Sequence, residues 1–277
     1  MRFTKMHGLG NDFILVDGFE EKLDEAALPE QARAWCDRHF GIGADGLIVV
    51  LPTRVAHFRW RIFNPDGSEP ESCGNGIRCL AKFVYDRKMT AETTLTVETL
   101  GGVKTVMLDV AGGTVRSVRV DMGEPAFRRR LIPMRGPEED EALNETVQAD
   151  GAKLDVTCLS VGNPHCVTFV DDVDHFPVEK LGPQVENHSL FPRRTNVEFV
   201  QVLSRRALRV RTWERGAGET LACGSGACAS VIAAARTGRA DRRAAVRLLG
   251  GELQIDWAED GHVHMTGPAV EVFTGEL

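Results

Sequence analysis

Cys73 and Cys223 are each followed by the same glycine pattern. The first opens "CGNG" and the second "CGSG", 150 positions later. An Arg-led alternating segment ("RIFN" or "RTWE") precedes each polar loop, and a helix-like run follows. A thiol in the turn before a helix lies near unpaired backbone amides, which favour an anion and lower the thiol's pKa. The same amides can hold a carboxylate, and the glycines at 74, 76, 224 and 226 let a ligand approach the backbone closely. As a thiolate, one sulfur can remove an α-proton; as a thiol, a second can return a proton to the opposite face. Two matched corners therefore suit reversible inversion of a stereocentre, by general acid–base catalysis with groups tuned near the working pH. Preorganised dipoles would have to stabilise the carbanion.

The elements that must position these corners are themselves repeated. "RWRIFN" (59–64) falls on "RVRTWE" (209–214), and Glu69 falls on Glu219. "LGND" (9–12) matches "VGNP" (161–164), and "VETLGGVKTV" (97–106) resembles "VRLLGGELQI" (246–255). Matches in the same order at nearly one offset imply an internal duplication. The chain then divides into a lobe over 1–122 that carries Cys73 and a lobe over 123–266 that carries Cys223. A charged, helix-poor join includes 127–145, and its arginines 128–130 read as a solvated face. Period-two alternation in "FRWRIF", "LRVRTW", "VRSVRV" and similar runs predicts many strands. Helices are predicted over 29–40 and after each cysteine. The first post-cysteine helix shows an apolar face of Ile77, Leu80, Ala81 and Val84; the second is Ala-rich and stops at Gly238. The expected class is α+β, with a curved sheet wrapping a helix in each lobe.

Composition narrows the possibilities. The chain has 277 residues, 43% of them hydrophobic and 26% charged, as expected of a globular protein with a sizeable core. A net charge of −7 argues against a nucleic-acid-binding surface spread over the molecule. No apolar run reaches the roughly 18 residues of a membrane span, and the start lacks a signal core, so a cytoplasmic protein is expected. Seven cysteines, an odd number, fit a reducing compartment better than a disulfide framework. Cys36, Cys79, Cys158, Cys166 and Cys228 read as small buried hydrophobes. The sequence contains no dinucleotide fingerprint and no lysine in a pyridoxal context, so a cofactor-free mechanism is expected.

The segments "KMHGLGNDFILVD", "GIGADGL", "RIFNPDGSEPESCGNGIRC", "GNPHCV", "TNVEFV", "WERGAGETLACGSGACA" and "GPAVEVF" together resemble the diaminopimelate epimerase family over essentially the whole chain. The resemblance implies two pseudo-symmetric lobes, each a mainly antiparallel sheet rolled around a central helix. A final strand, about 267–277, would rejoin the first lobe. It also implies conversion of LL-2,6-diaminopimelate to the meso isomer without pyridoxal phosphate or metal, for lysine and peptidoglycan precursors, by a homodimer. Cys73 and Cys223 would be the paired acid and base, assisted by His165 and Glu214. Substrate contacts would fall on Asn11, Asn64, Gly74 and Asn75 in the first lobe. In the second they would fall on Asn163, Asn196, Glu214, Arg215, Gly224 and Ser225. Arginine can grip a carboxylate in two-pronged fashion, and asparagine offers both a donor and an acceptor. Two positions depart from the family pattern: Gly46, where some members carry Gln, and Phe273, where many carry Tyr.

Taken singly, Asn11 and Asn163 are ordinary turn residues, and Glu214–Arg215 could be a surface pair of little consequence. Three other functions compete with the epimerase. A proline racemase would not need Arg215 and the several asparagines. A thiol–disulfide oxidoreductase would be expected to show Cys-x-x-Cys. A zinc site built from Cys73, Cys79, Cys223 and Cys228 would have gaps that fit zinc-ribbon spacing badly.

Overall fold

The computed structural model describes residues 1–70 and 73–277; Glu71 and Ser72, within the first cysteine motif, lie outside the described residues. The chain forms two units, Met1–Asp121 with Thr266–Leu277, and Met122–Met265.

The first unit runs β1 (Arg2–Gly8), β2 (Asn11–Asp17), α1 (Leu28–Cys36), β3 (Gly46–Leu51), β4 (Phe58–Phe63), α2 (Gly74–Asp86), β5 (Thr94–Thr99), β6 (Gly102–Ala111) and β7 (Thr114–Asp121). The second runs β8 (Ala142–Ala149), β9 (Ala152–Ser160), β10 (Pro164–Phe169), α3 (Val178–Glu186), β11 (Asn196–Ser204), β12 (Ala207–Glu214) and β13 (Gly218–Thr220). It continues through α4 (Gly224–Arg236), β14 (Arg243–Leu248), β15 (Gly251–Trp257) and β16 (Val263–Gly267). The C-terminal strand β17 (Val270–Glu276) belongs to the first unit and pairs antiparallel with β1.

The two ladders repeat one pattern. In the first, β1–β2 is antiparallel, β2–β3 parallel, β3–β4 antiparallel, β4–β5 parallel and β5–β6 antiparallel. In the second, β9–β10, β10–β11, β11–β12, β12–β14 and β14–β15 follow the same sequence of directions. Against β9, strand β8 occupies the place that β17 takes against β1. Each mainly antiparallel sheet thus contains two parallel pairings.

Burial explains the central helices. All six residues of β3, "GLIVVL", are buried. Leu47, Val49 and Leu51 pack with Leu28, Ala32 and Cys36 of α1. On the other face Ile48 reaches α2, so closely that a Cβ on Gly76 would come within 3.0 Å of its side chain. A strand covered on both faces reads as an unbroken apolar run. Helix α2 contacts β1, β2 and β3 as well as β6 and β7, so the sheet curls around it. It is consequently buried on nearly every side, Asn75, Arg78 and Cys79 included, rather than on one apolar face. Helix α4 is wrapped in the same way by β9–β12, β14 and β15.

Three local expectations need correction. The helix predicted over 29–40 ends at Cys36, because Asp37 Oδ1 accepts the amides of His39 (2.7 Å) and Phe40 (2.8 Å) and turns the chain. The arginines at 128–130 form a solvated face only in part: Arg128 and Arg130 are exposed, but Arg129 is only 6% exposed. Its guanidinium pairs with Glu145 and donates to Arg135 O at 2.8 Å. Helix α3 has no forerunner in the sequence patterns, since Gly182 and Pro183 interrupt it. No helix among the described residues is long and apolar enough to cross a membrane.

Candidate active site

Both cysteines are the N-cap residues of their helices, in extended conformation (φ −148°, ψ 109° at Cys73; φ −113°, ψ 112° at Cys223). Gly76 N–H donates to Cys73 Sγ at 3.4 Å, and Gly226 N–H donates to Cys223 Sγ at 3.3 Å. Each sulfur therefore takes the place of the usual Ser or Asp cap oxygen, satisfying one unpaired amide of the first turn. Close packing requires the second glycine of each motif: a Cβ at Gly226 would lie 2.7 Å from Glu198 Oε1 and 3.2 Å from Cys223 Sγ.

A matched ion pair braces each loop. On β4, Arg61 donates through Nε (3.0 Å) and Nη2 (2.6 Å) to the two carboxylate oxygens of Glu69. On β12, Arg211 does the same to Glu219 of β13, at 2.6 and 2.8 Å. Such two-pronged pairs fix orientation as well as distance.

The surroundings of the two sulfurs differ. In the first unit Asn11 Oδ1 accepts from Asn75 Nδ2 at 3.1 Å and from the Cys73 thiol at 3.9 Å. Its Nδ2 donates to Asp45 Oδ2 at 2.9 Å. Asp45 belongs to a charged cluster in which Arg38 bridges Asp12 and Asp45, and Lys5 pairs with Asp12. Burial would push the Asp12 carboxyl up, but the hydrogen bonds from Arg38 and Lys5 outweigh it and hold the group at about 2. Asn64 closes the turn after β4: its backbone N–H donates to Ser68 O at 2.8 Å and its Nδ2 to Ser68 Oγ at 2.9 Å. Gly46 has no room for a side chain, since a Cβ would lie 2.9 Å from Phe63 O and 3.3 Å from the Phe13 ring.

In the second unit the sulfur sits among carboxylates. Thr220 Oγ1 donates to Glu214 Oε1 at 2.6 Å. Burial pushes the Glu214 carboxyl above its ordinary range, against that hydrogen bond. His165 is fully buried, its Nδ1 2.8 Å from Glu198 Oε1 and its Nε2 2.9 Å from Asn163 Oδ1. Asn196 Nδ2 donates to Pro164 O at 2.8 Å, and its Oδ1 accepts from the backbone of Arg215 at 2.9 Å. The Arg215 side chain itself is exposed. Ser225 Oγ lies 3.6 Å from Cys223 Sγ, and Gly224 opens α4.

These surroundings overturn the expectation of a lowered thiol pKa at Cys223. Burial, followed by the charges of Glu214 and Glu198, raises it well above the ordinary thiol value; Ser225 and the Gly226 amide only partly compensate. The carboxylates come from β11 and β12 rather than from the helix itself, so the helix start alone could not predict the balance. Glu198 is the residue that sequence reasoning missed. It lies inside "TNVEFV", a segment read only for its family resemblance, and it is 0% exposed. Burial pushes the thiols of Cys36 and Cys79 up to about 11 and about 12, as suits packing roles. Among the described residues no three of His, Cys, Asp and Glu converge as a metal site.

A family model for diaminopimelate epimerase matches residues 3–128 and 157–272. A diaminopimelate epimerase of Moorella thermoacetica is 57% identical over 278 residues, covering 100% of this chain and 99% of that protein. One from Methanococcus maripaludis is 51% identical over 278 residues, with the same two coverages of 100% and 99%. Among solved structures, a PhzF-family phenazine biosynthesis protein of Bacillus anthracis superposes with a TM-score of 0.73 at 19% identity, covering 100% of this chain and 98% of that one. A hydroxyproline epimerase of Agrobacterium vitis with bound trans-4-hydroxy-L-proline gives 0.72 at 15%, covering 100% and 90%. At such identities the likeness is one of fold: α+β with two pseudo-symmetric lobes.

Proposed function

The chain belongs to the diaminopimelate epimerase family, and from that premise we propose that it interconverts LL-2,6-diaminopimelate and the meso isomer, with Cys73 and Cys223 as the acid–base pair. Inversion needs a base on one face of the α-carbon and an acid on the other. The observation that carries the proposal is the duplicated corner: two cysteines, each capping a helix and each accepting the amide of the glycine three residues on. Either can hold a proton or release one, so the reaction runs in both directions without a cofactor or metal. In the resting enzyme Cys223 carries its proton, in keeping with its raised pKa.

The substrate has two amino-acid ends. Asn11, Asn64, Gly74 and Asn75 contact it from the first unit. Asn163, Asn196, Arg215, Gly224 and Ser225 contact it from the second, with Arg215 gripping a carboxylate. Glu214 contacts substrate and, with His165, assists at the reacting centre, exchanging protons with its surroundings on behalf of Cys223.

The enzyme acts in the cytoplasm as a homodimer, in lysine and peptidoglycan precursor synthesis. Exposed apolar side chains on β17 (Val270 43%, Val272 55%, Phe273 48%) favour self-association, which the mass in solution by light scattering decides. The function is tested by incubating the purified chain with LL-diaminopimelate in deuterium oxide. Deuterium is expected at one α-carbon of a meso product, and none from Cys73→Ala or Cys223→Ala. Normal turnover by both variants would sink the assignment.

A further inference from the structure

The environment of Glu198 on β11 has a consequence for its neighbours. It is fully buried, and among the described residues its one ion-pair partner is His165. Its Oε1 meets His165 Nδ1 at 2.8 Å, while its buried Oε2 has no hydrogen-bond partner. Cys166 follows His165 on β10, Glu214 comes from β12 and Cys223 from the start of α4; none of these brings a positive charge. An unpaired carboxylate in such a place is costly, so a proton must be shared between Glu198 and His165.

That proton has two resting places, Nδ1 or Oε1. A neutral imidazole protonated only at Nδ1 would set a bare Nε2 against Asn163 Oδ1, two acceptors face to face, so in both remaining states His165 Nε2 carries a hydrogen. Across the ring, Nε2 lies 2.9 Å from Asn163 Oδ1, which is therefore the acceptor.

We propose that Glu198 is a positioning residue: by keeping a proton between its Oε1 and His165 Nδ1, it commits His165 Nε2–H to Asn163 Oδ1. Asn163 is thereby left with both amide hydrogens to offer an acceptor oxygen of the substrate. Without Glu198, His165 can drop the Nε2 proton, and the Asn163 amide turns over to present its oxygen instead. The substrate half of this proposal rests on the epimerase function above; the protonation of His165 does not.

The test uses the full chain labelled with nitrogen-15 histidine, the His165 signals being assigned by their loss in His165→Asn. Wild type should show the hydrogen on Nε2, whereas an unconstrained imidazole averages its tautomers. In Glu198→Gln, nearly isosteric and unable to supply the proton, His165 should instead show a mixture of neutral tautomers. KM for diaminopimelate should rise about tenfold or more, the loss of a charge-assisted hydrogen bond, with less change in kcat. Adding Glu198→Gln to Asn163→Ala should raise KM no further, because one acts through the other. A wild-type His165 unprotonated at Nε2, unchanged imidazole signals in Glu198→Gln, or additive effects in the double variant would each overturn the proposal. The imidazole signals remain decisive even if the chain fails to turn over diaminopimelate.

Discussion

Replacing Glu219 by alanine removes both oxygens that hold the Nε and Nη2 of Arg211, leaving a guanidinium whose side chain is 16% exposed. The remaining Nη1 keeps three backbone acceptors, the carbonyls of Val173, Asp174 and Phe176 at 3.0–3.2 Å. An exposed ion pair contributes about 0.2–1 kcal/mol, whereas breaking a fully buried one costs about 3–5 kcal/mol. With most of the pair sheltered but part of the cation still hydrogen-bonded, Glu219→Ala should cost about 2 kcal/mol, and Glu219→Gln about 1 kcal/mol. The first unit supplies an internal control. Arg61 and Glu69 are both 19% exposed, and Arg61 Nη1 keeps Glu25 O at 3.1 Å, so Glu69→Ala should cost about the same. Urea unfolding, read as the shift in midpoint at constant slope, measures both. Glu219 also holds β13, whose Thr220 reaches Glu214, so the alanine variant should lose activity at temperatures where it stays folded. A cost below about 0.5 kcal/mol at both positions would refute the bracing role, since that is the range of an ordinary surface substitution.

Two further outcomes concern pH. Thr220 donates to Glu214 and opposes the rise that burial imposes on its carboxyl, so Thr220→Val should raise that pKa further. If Glu214 must be ionised to take up a proton, the acid limb of the kcat/KM profile moves to higher pH; an unmoved limb removes Glu214 from that role. The Asp12 carboxyl is lowered from 3.8 to about 2, so its ion pairs contribute stability that is present above about pH 4 and lost as the pH falls through about 2. The shift corresponds to about 2 kcal/mol. The stability gap between wild type and Asp12→Asn in urea should therefore narrow across that window, and a gap constant with pH would contradict the pairing.

What the sequence reveals is what local chemistry determines. Helices α2 and α4 follow from the cysteine corner and an apolar or Ala-rich run, and neither needs distant partners. Strand alternation is legible in β4 and β12, where Arg59, Arg61, Arg209 and Arg211 alternate with buried residues. Helix α3 is hidden because its support is tertiary: Gly182 lies against the Trp213 ring, where a Cβ would approach within 2.5 Å, and only that packing offsets the poor propensity of Gly and Pro. Arg129 is hidden in the same way, since its partner Glu145 lies on β8. Glu198 is the sharpest case. In β11 every residue from Asn196 to Val200 is buried, so alternation no longer separates core from solvent. A lone acidic residue in an otherwise apolar stretch is the one signal that marks it.

The duplicated corner separates geometry from charge. Cys-Gly-x-Gly fixes the sulfur against a helix amide through backbone contacts alone, and both copies keep that contact to within 0.1 Å (3.4 and 3.3 Å). Charge comes instead from side chains on the surrounding strands, and these have diverged. Cys73 meets the neutral amide of Asn11, whereas Cys223 is buried in the field of the Glu214 carboxylate. On the proposed reading the pair works in its singly ionised form, since neither the doubly protonated nor the doubly ionised pair can invert a stereocentre. Under the proposed two-cysteine reading, the carboxylates around Cys223 favour it as the sulfur that keeps its proton. Substrate that brings an ammonium close to that sulfur would weaken the bias and allow the reverse transfer.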